Sequence, residues 1–318
     1  MNPICFYHKA DLDGVCSGAI VKHFVPDVEL VGFDYGMEFP WDKVYPDGRN
    51  GLKHTVFMVD VSLPPADMKR LNEVADLVWI DHHKTAIAAI QPRLPGLQIV
   101  GYAGCELAWL AFSALAAGDT YPHLFDNLLA KYGSTIPEAV RLLGRYDVWD
   151  KDNPDWASRI LPFQYGVRTT KGIYDPTCDM WGMLCWDCQP EMVLHDIMSL
   201  IGIGSAILSY QAEVNRQACE SGAHVELLFF PNPPADGQQA LRILACNTII
   251  FNSQFFEAAY DEAKHDVMCA YCRLKDGRWR VSLYGTKPEI DCGAICKTFG
   301  GGGHKEAAGF LCDQLPWA

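Results

Sequence analysis

Short apolar runs alternate with longer mixed stretches along the first hundred or so residues of this chain. Pro3 to Tyr7, Val28 to Phe33, Thr55 to Val59 and Leu77 to Ile80 read as strands, and Gln98 to Val100 as a short fifth. Between them, Val15 to Phe24 and Leu63 to Val74 read as helices. The second is opened by Pro64 and Pro65, which a helix tolerates in its first turn. An Ala- and Leu-rich helix follows from Cys105 to Ala117. This β-α-β alternation predicts a mostly parallel sheet with helices on both faces.

Helical pattern then dominates from Leu124 to about Tyr146, and periodicity fades in the Trp-, Pro- and Asp-rich stretch from Asp147 to Pro162. Glu191 to Cys219 reads as one long connecting helix. Val225 to Phe230, Leu241 to Ala245, Val267 to Leu274 and Trp279 to Tyr284 are strand-like. Asn232 to Gln239 is a loop by composition, and Lys275-Asp276-Gly277 suits a hairpin turn. A short helix (Ile290 to Thr298), a glycine run and an alanine-rich turn complete the chain. The expectation is an α/β protein with a parallel-sheet domain over residues 1–190, a helical linker over 191–222 and a smaller α/β domain over 223–318.

Composition narrows this picture. Hydrophobic residues make up 49% and charged residues 20%, the balance of a globular protein. No uninterrupted apolar run reaches the roughly 18 to 20 residues of a spanning helix. The nearest, Ile197 to Leu208, includes two glycines and two serines. Asp11 and Asp13 interrupt any signal-peptide layout, so no membrane association and a cytoplasmic location are expected. The thirteen cysteines are odd in number and lack framework spacing, which favours reduced thiols. Two CxxC pairs occur, Cys185 with Cys188 (Cys178 nearby) and Cys269 with Cys272. A structural zinc site wants four ligands with turn-forming spacers. Cys269 and Cys272 sit instead in an apolar strand-like run, where cysteine commonly serves as a small buried residue. A net charge of −13 gives no basic stripe for a long duplex. A chain so acidic would need metal ions to handle phosphates, and would suit short substrates.

Candidate ligands cluster after the strands. His8, Asp11 and Asp13 follow the first, Asp60 ends the third, and Asp81, His82 and His83 end the fourth, while Asp147 follows the helical region. Singly, each has an ordinary reading: a solvated turn, a helix N-cap at Asp60, a half-buried histidine pair. Together they fall at one edge of one sheet, where open α/β sheets bind ligands. Carboxylates gathered there repel unless cations join them. A mixture of Asp oxygens and His nitrogens suits manganese, magnesium or zinc better than calcium.

His8-Lys9-Ala10-Asp11-Leu12-Asp13-Gly14, Val59-Asp60-Val61-Ser62, Asp81-His82-His83 and Asp147 occur in the order of four motifs of the DHH phosphoesterases. Gly300-Gly301-Gly302-Gly303-His304-Lys305-Glu306-Ala307-Ala308-Gly309-Phe310 resembles the signature of the associated C-terminal domain. The resemblance implies one metal held by His8, Asp11 and Asp60 and a second by Asp13, Asp60, His82 and Asp147. Asp81 would orient ligands, and His83 would face the substrate phosphate or protonate the leaving oxygen. It further implies two divalent ions, manganese first with magnesium or cobalt as alternatives, and attack by a hydroxide bridging them. The motif spelling looks like that of short oligoribonucleases and cyclic-nucleotide phosphodiesterases, which implies hydrolysis of short or small nucleotides to nucleoside monophosphates. A pyrophosphatase or exopolyphosphatase using the same metals is the alternative, and homodimerisation is left open.

The glycine run also has a reading of its own. Successive glycines allow close backbone approach to an anion, and a helix starting near His304 would add its positive end. His304, the amides of Gly301, Gly302 and Gly303, and Lys305 are therefore candidate substrate contacts. Many oligonucleotide-cleaving relatives carry an arginine in the preceding strand, where this chain has Ser282-Leu283-Tyr284-Gly285. Arg168 and Lys171 are candidate replacements, or else solvated surface charges.

Overall fold

The structure, a computed structural model, describes residues 2–45, 53–119, 125–230 and 239–317. The chain falls into two compact units, Met1–Ile207 and Leu208–Ala318.

The first unit opens with β1 (Ile4–His8), α1 (Leu12–Phe24), β2 (Glu29–Phe33), the short α2 (Trp41–Val44) and β3 (Thr55–Val59). There follow α3 (Pro65–Val74), β4 (Asp76–Asp81), α4 (Lys84–Ala89) and β5 (Gly96–Gln98). The strands form one sheet in the order β2-β1-β3-β4-β5, parallel throughout. Its strands read as apolar runs because both faces are covered. Phe6, Met58 and Trp79 enter a core with Met68 and Leu71 of α3. Their neighbours Cys5, Phe57 and Ile80 face the opposite core with Leu12, Val15 and Ile20 of α1. β5 pairs two residues earlier than the apolar pattern suggests. Gly96, at φ 124°, crosses so close to Trp79 that a Cβ would lie 2.0 Å from its carbonyl oxygen, and the ladder ends at Gln98.

The remaining helices of this unit are α5 (Gly104–Ala116), α6 (Phe125–Tyr132), α7 (Glu138–Asp147), α8 (Leu161–Val167) and α9 (Asp179–Cys185). The helical region expected from Leu124 to about Tyr146 is α6 and α7, and Leu124 itself lies outside the described residues. A 3-10 turn at Gly133–Thr135 and Pro137, which has no N–H to continue a helix, divide them. The aperiodic stretch conceals a π-helical turn, Trp156–Ile160, that runs directly into α8. α10 (Pro190–Gly222) is one helix of 33 residues. It is long and apolar enough to cross a membrane by length and composition, although its apolar residues are interrupted in sequence. The run-length criterion therefore understated it.

The second unit takes the end of α10, then β6 (Ala223–Phe230), β7 (Gln239–Asn247), β8 (Val267–Arg273), β9 (Trp279–Tyr284), α11 (Cys292–Thr298), β10 (Gly302–Gly303) and β11 (Ala307–Cys312). Its sheet runs β10-β11-β9-β8-β7-β6, with β7 and β8 parallel and the other pairs antiparallel. Except for Gln239, which opens β7, the loop expected at 232–239 lies outside the described residues. The β8–β9 hairpin turns at Gly277, where φ is 90°. The alanine-rich turn proves to be strand β11. No helix starts at His304, which sits in the tight turn joining β10 to β11 and donates its amide to the Ala307 carbonyl (2.8 Å).

Candidate metal centre

β1 ends at His8, and the next helix begins only a few residues later. Asp11 caps α1 by accepting from the Gly14 amide (3.0 Å), and Asp13 lies in the first helical turn. That turn packs so tightly on β1 that a Cβ at Gly14 would stand 2.1 Å from the His8 carbonyl oxygen. Asp13 is buried, with its two oxygens accepting from the amides of Gly104 (2.8 Å) and Cys105 (2.7 Å). A helix N-terminus favours a negative group there.

Asp60 follows β3 in the left-handed conformation, φ 57°. Its amide is fixed by the Ile80 carbonyl (2.9 Å). Aspartate tolerates this region better than most residues. A Cβ at Gly104 would lie 2.6 Å from that of Asp60, so the start of α5 has to be glycine. β4 ends at Asp81, which is fully buried. Its Oδ1 accepts from the amides of His82 (2.7 Å) and His83 (3.0 Å) and meets His83 Nδ1 at 2.7 Å, while Oδ2 accepts from Trp79 Nε1 (3.0 Å). Asp81 thus holds the two histidines in place. Asp147 arrives from the end of helix α7 rather than from a strand.

These side chains converge. His8 Nδ1 is 2.9 Å from Asp11 Oδ2 and 3.6 Å from Asp60 Oδ2. His82 Nε2 is 3.1 Å from Asp60 Oδ1, 3.3 Å from Asp147 Oδ2 and 3.6 Å from Asp13 Oδ2. Among the described residues, the groups able to hold a metal are His8-Asp11-Asp60, Asp13-His82-Asp147 and Asp60-His82-His83, each with ligand atoms within 4.8 Å of one another. No cysteine joins them. Cys269 is buried in β8 and Cys272 half-buried at its end, and all thirteen thiols are free.

The residues fit a divalent cation. His8 Nδ1 and Asp60 Oδ1 are buried yet have no hydrogen-bond partner, despite their close neighbours. His8 Nδ1 lies 2.9 Å from Asp11 Oδ2 and Asp60 Oδ1 lies 3.1 Å from His82 Nε2, and buried polar atoms left without hydrogen bonds are costly without an occupant. Without a cation the cluster recruits protons. Burial and then the Asp60 charge lift Asp147 to about 6, and burial, Asp60 and Asp147 hold Asp13 well above the usual carboxylate range. The carboxylates of Asp11 and Asp60 raise His8 to about 10, and Asp81 raises His83 to about 9.

Two neighbours were not singled out in the sequence. Asp34 Oδ1 lies 3.4 Å from His8 Nε2. The Tyr35 ring stands 5.7 Å from His8 and 6.5 Å from His83. Asp34 follows β2 as the other acids follow their strands, but as a lone aspartate it belongs to no motif. Arg168, also in the first unit, is exposed, with its guanidinium 5.6 Å over the ring of Tyr146 and 5.8 Å over that of Tyr165.

The other predicted contacts lie in the second unit. His304 and Lys305 are exposed. The Gly301 amide donates to the Cys296 carbonyl (2.9 Å) and so is engaged internally. Gly300 to Gly303 line an open cavity of about 720 Å³ together with Ser282, Tyr284, Arg278 and Arg280. Arg280, also on β9, has its guanidinium 4.1 Å over the Phe251 ring.

No curated protein matches this sequence. Solved structures similar to the chain include an uncharacterized protein from Helicobacter pylori G27, at 13% identity and a TM-score of 0.41, covering 100% of this chain and 95% of that one. The pGpG-specific phosphodiesterase PggH from Vibrio cholerae is similar at 12% identity and a TM-score of 0.47, over 98% and 93% of the two chains. RecJ from Thermus thermophilus, in complex with Mn2+, is similar at 16% identity and a TM-score of 0.45, over 98% and 49%. Likenesses this distant carry no argument about activity. Residues 3–131, which span every candidate ligand except Asp147, match the model of the DHH family, N-terminal domain. The N-terminal part of this chain is therefore a DHH family domain.

Proposed function

We propose that this protein is a metal-dependent phosphoesterase that hydrolyses phosphodiester bonds in short oligonucleotides or small linear or cyclic nucleotides, releasing nucleoside monophosphates. The observation that carries the reading is the convergence of six Asp and His ligands around two buried atoms without hydrogen-bond partners, His8 Nδ1 and Asp60 Oδ1. His8, Asp11 and Asp60 would hold one ion, and Asp13, Asp60, His82 and Asp147 a second. Manganese suits this donor set best, with magnesium or cobalt as alternatives. Ions bound there activate water and neutralise phosphoryl charge.

The chain's own residues do the rest. Asp81 fixes His83 through Nδ1, which leaves Nε2 to contact the phosphate or protonate the leaving oxygen. Tyr35 is 53% exposed, with its ring 5.7 Å from that of His8, and offers a face on which a base can stack. That supports nucleotides over pyrophosphate or polyphosphate. His304, Lys305, the glycine run from Gly301 to Gly303, and Arg168 are proposed phosphate contacts, and the cytoplasm is the proposed location.

The test is a substrate panel with manganese: dinucleotides, three-to-five-mers, cyclic mono- and dinucleotides, pyrophosphate and polyphosphate. Metal-dependent release of nucleoside monophosphates is expected. Orthophosphate from the anhydrides alone would replace the phosphodiesterase reading, and turnover undiminished in chelator would overturn the metal-dependent one.

A further inference from the structure

We infer that Asp34 is a positioning residue for His8, holding its imidazole so that Nδ1 faces the ligand cluster. This rests on the metal-binding reading above and adds a residue that its ligand set does not contain. The two ring nitrogens of His8 have different surroundings. Nδ1 faces Asp11 and Asp60, at 2.9 and 3.6 Å, and Nε2 faces only Asp34, at 3.4 Å, among the ion-pair neighbours of the described residues. A ligating histidine characteristically presents its second N–H to a carboxylate, which fixes tautomer and ring orientation and strengthens the ligating nitrogen. With Nδ1 directed at a cation, the proton belongs on Nε2, and Asp34 is the acceptor placed for it.

The backbone supports the same role. β1 and β2 are in parallel register with His8 opposite Phe33, and the ladder continues through the Lys9 amide to the Phe33 carbonyl (3.0 Å). Asp34, next after Phe33, is thereby delivered beside His8. Its carboxylate is already anchored, since Oδ1 accepts from the Tyr35 amide at 2.7 Å. Asp34 is also partly exposed, with 37% of its side chain accessible, so replacing it opens no cavity in the core.

Manganese binding to the full chain, followed by calorimetric titration, separates the outcomes. The unmodified protein should bind two ions. Asp34→Ala should weaken one of them by about 10- to 100-fold and leave the other unchanged, the range found when such supporting carboxylates are removed. Asp34→Asn, whose amide oxygen can accept the same proton, should recover much of the loss. Unchanged affinity for both ions in Asp34→Ala would overturn the inference. Complete loss of one ion in both variants would overturn it too, by making Asp34 a ligand. Failure of the unmodified protein to bind manganese would instead bring down the metal reading on which the inference depends.

Discussion

Asp60 bears two roles that a single substitution can separate. Its left-handed backbone, φ 57°, and its close approach to Gly104 belong to the fold, while its carboxylate belongs to two of the three ligand groups. Alanine would disturb both, since residues with a Cβ but no short polar side chain rarely adopt this region. Asparagine tolerates it and removes the charge. Asp60→Asn should therefore fold, with a metal-free melting temperature within a few degrees of the unmodified protein, yet lose activity by roughly a thousandfold, about 4 kcal/mol of transition-state stabilisation. Retention of a tenth of the activity in the folded variant would remove Asp60 from the centre. Most of these residues were legible, because His8, Asp11, Asp13, Asp60, His82 and Asp147 follow recognisable elements and are brought together. Asp34 was not, since a lone aspartate after a strand looks like any turn residue until the parallel register sets it beside His8.

At the scale of elements, the first sheet was legible for a plain reason. Strands buried on both faces are apolar runs, and the ligands collect where they end. Finer divisions were not legible: within the expected helical region Pro137 and the Gly133–Thr135 turn separate two helices, and the end of the second carries Asp147. In the second unit the expected helix at His304 is a hairpin turn, because the glycine run continues as β10 paired to β11. Here one ion-paired carboxylate ties several segments together. Asp266, just before β8, accepts from the Arg242 amide (2.9 Å) and Arg242 Nη2 (2.9 Å), and Lys287 Nζ is 2.8 Å away. The Arg242 side chain, followed by Lys287, holds its acid well below the usual range despite partial burial. A depressed folded-state value means that its contribution is present above the unfolded value, near 3.8, and is lost as pH falls below it. Asp266→Asn should cost about 2 kcal/mol at pH 7 and much less near pH 2, with equilibrium denaturation at both values as the check. An equal cost at both would show that the charge contributes nothing.

On the scale of the whole molecule, a chain with net charge −13 gathers carboxylates at one buried place and leaves two of the ligand atoms there without hydrogen-bond partners. The acidic balance is compatible with a site that takes cations, but composition alone could not say where the carboxylates gather. That depended on the parallel sheet order β2-β1-β3-β4-β5, which brings three ligand-bearing strand ends into adjacency. α10 shows the opposite limit: it was legible as a long connecting helix, but counting uninterrupted apolar residues did not reveal that it is long and apolar enough, by length and composition, to cross a membrane. The most direct measurement of the central claim is an anomalous difference map from crystals of the protein soaked in manganese. A two-metal centre gives two peaks on either side of Asp60, roughly 3.5 to 4 Å apart, one against His8 and Asp11 and the other against Asp13, His82 and Asp147. Manganese density only at surface carboxylates, with none against Asp60, would contradict it.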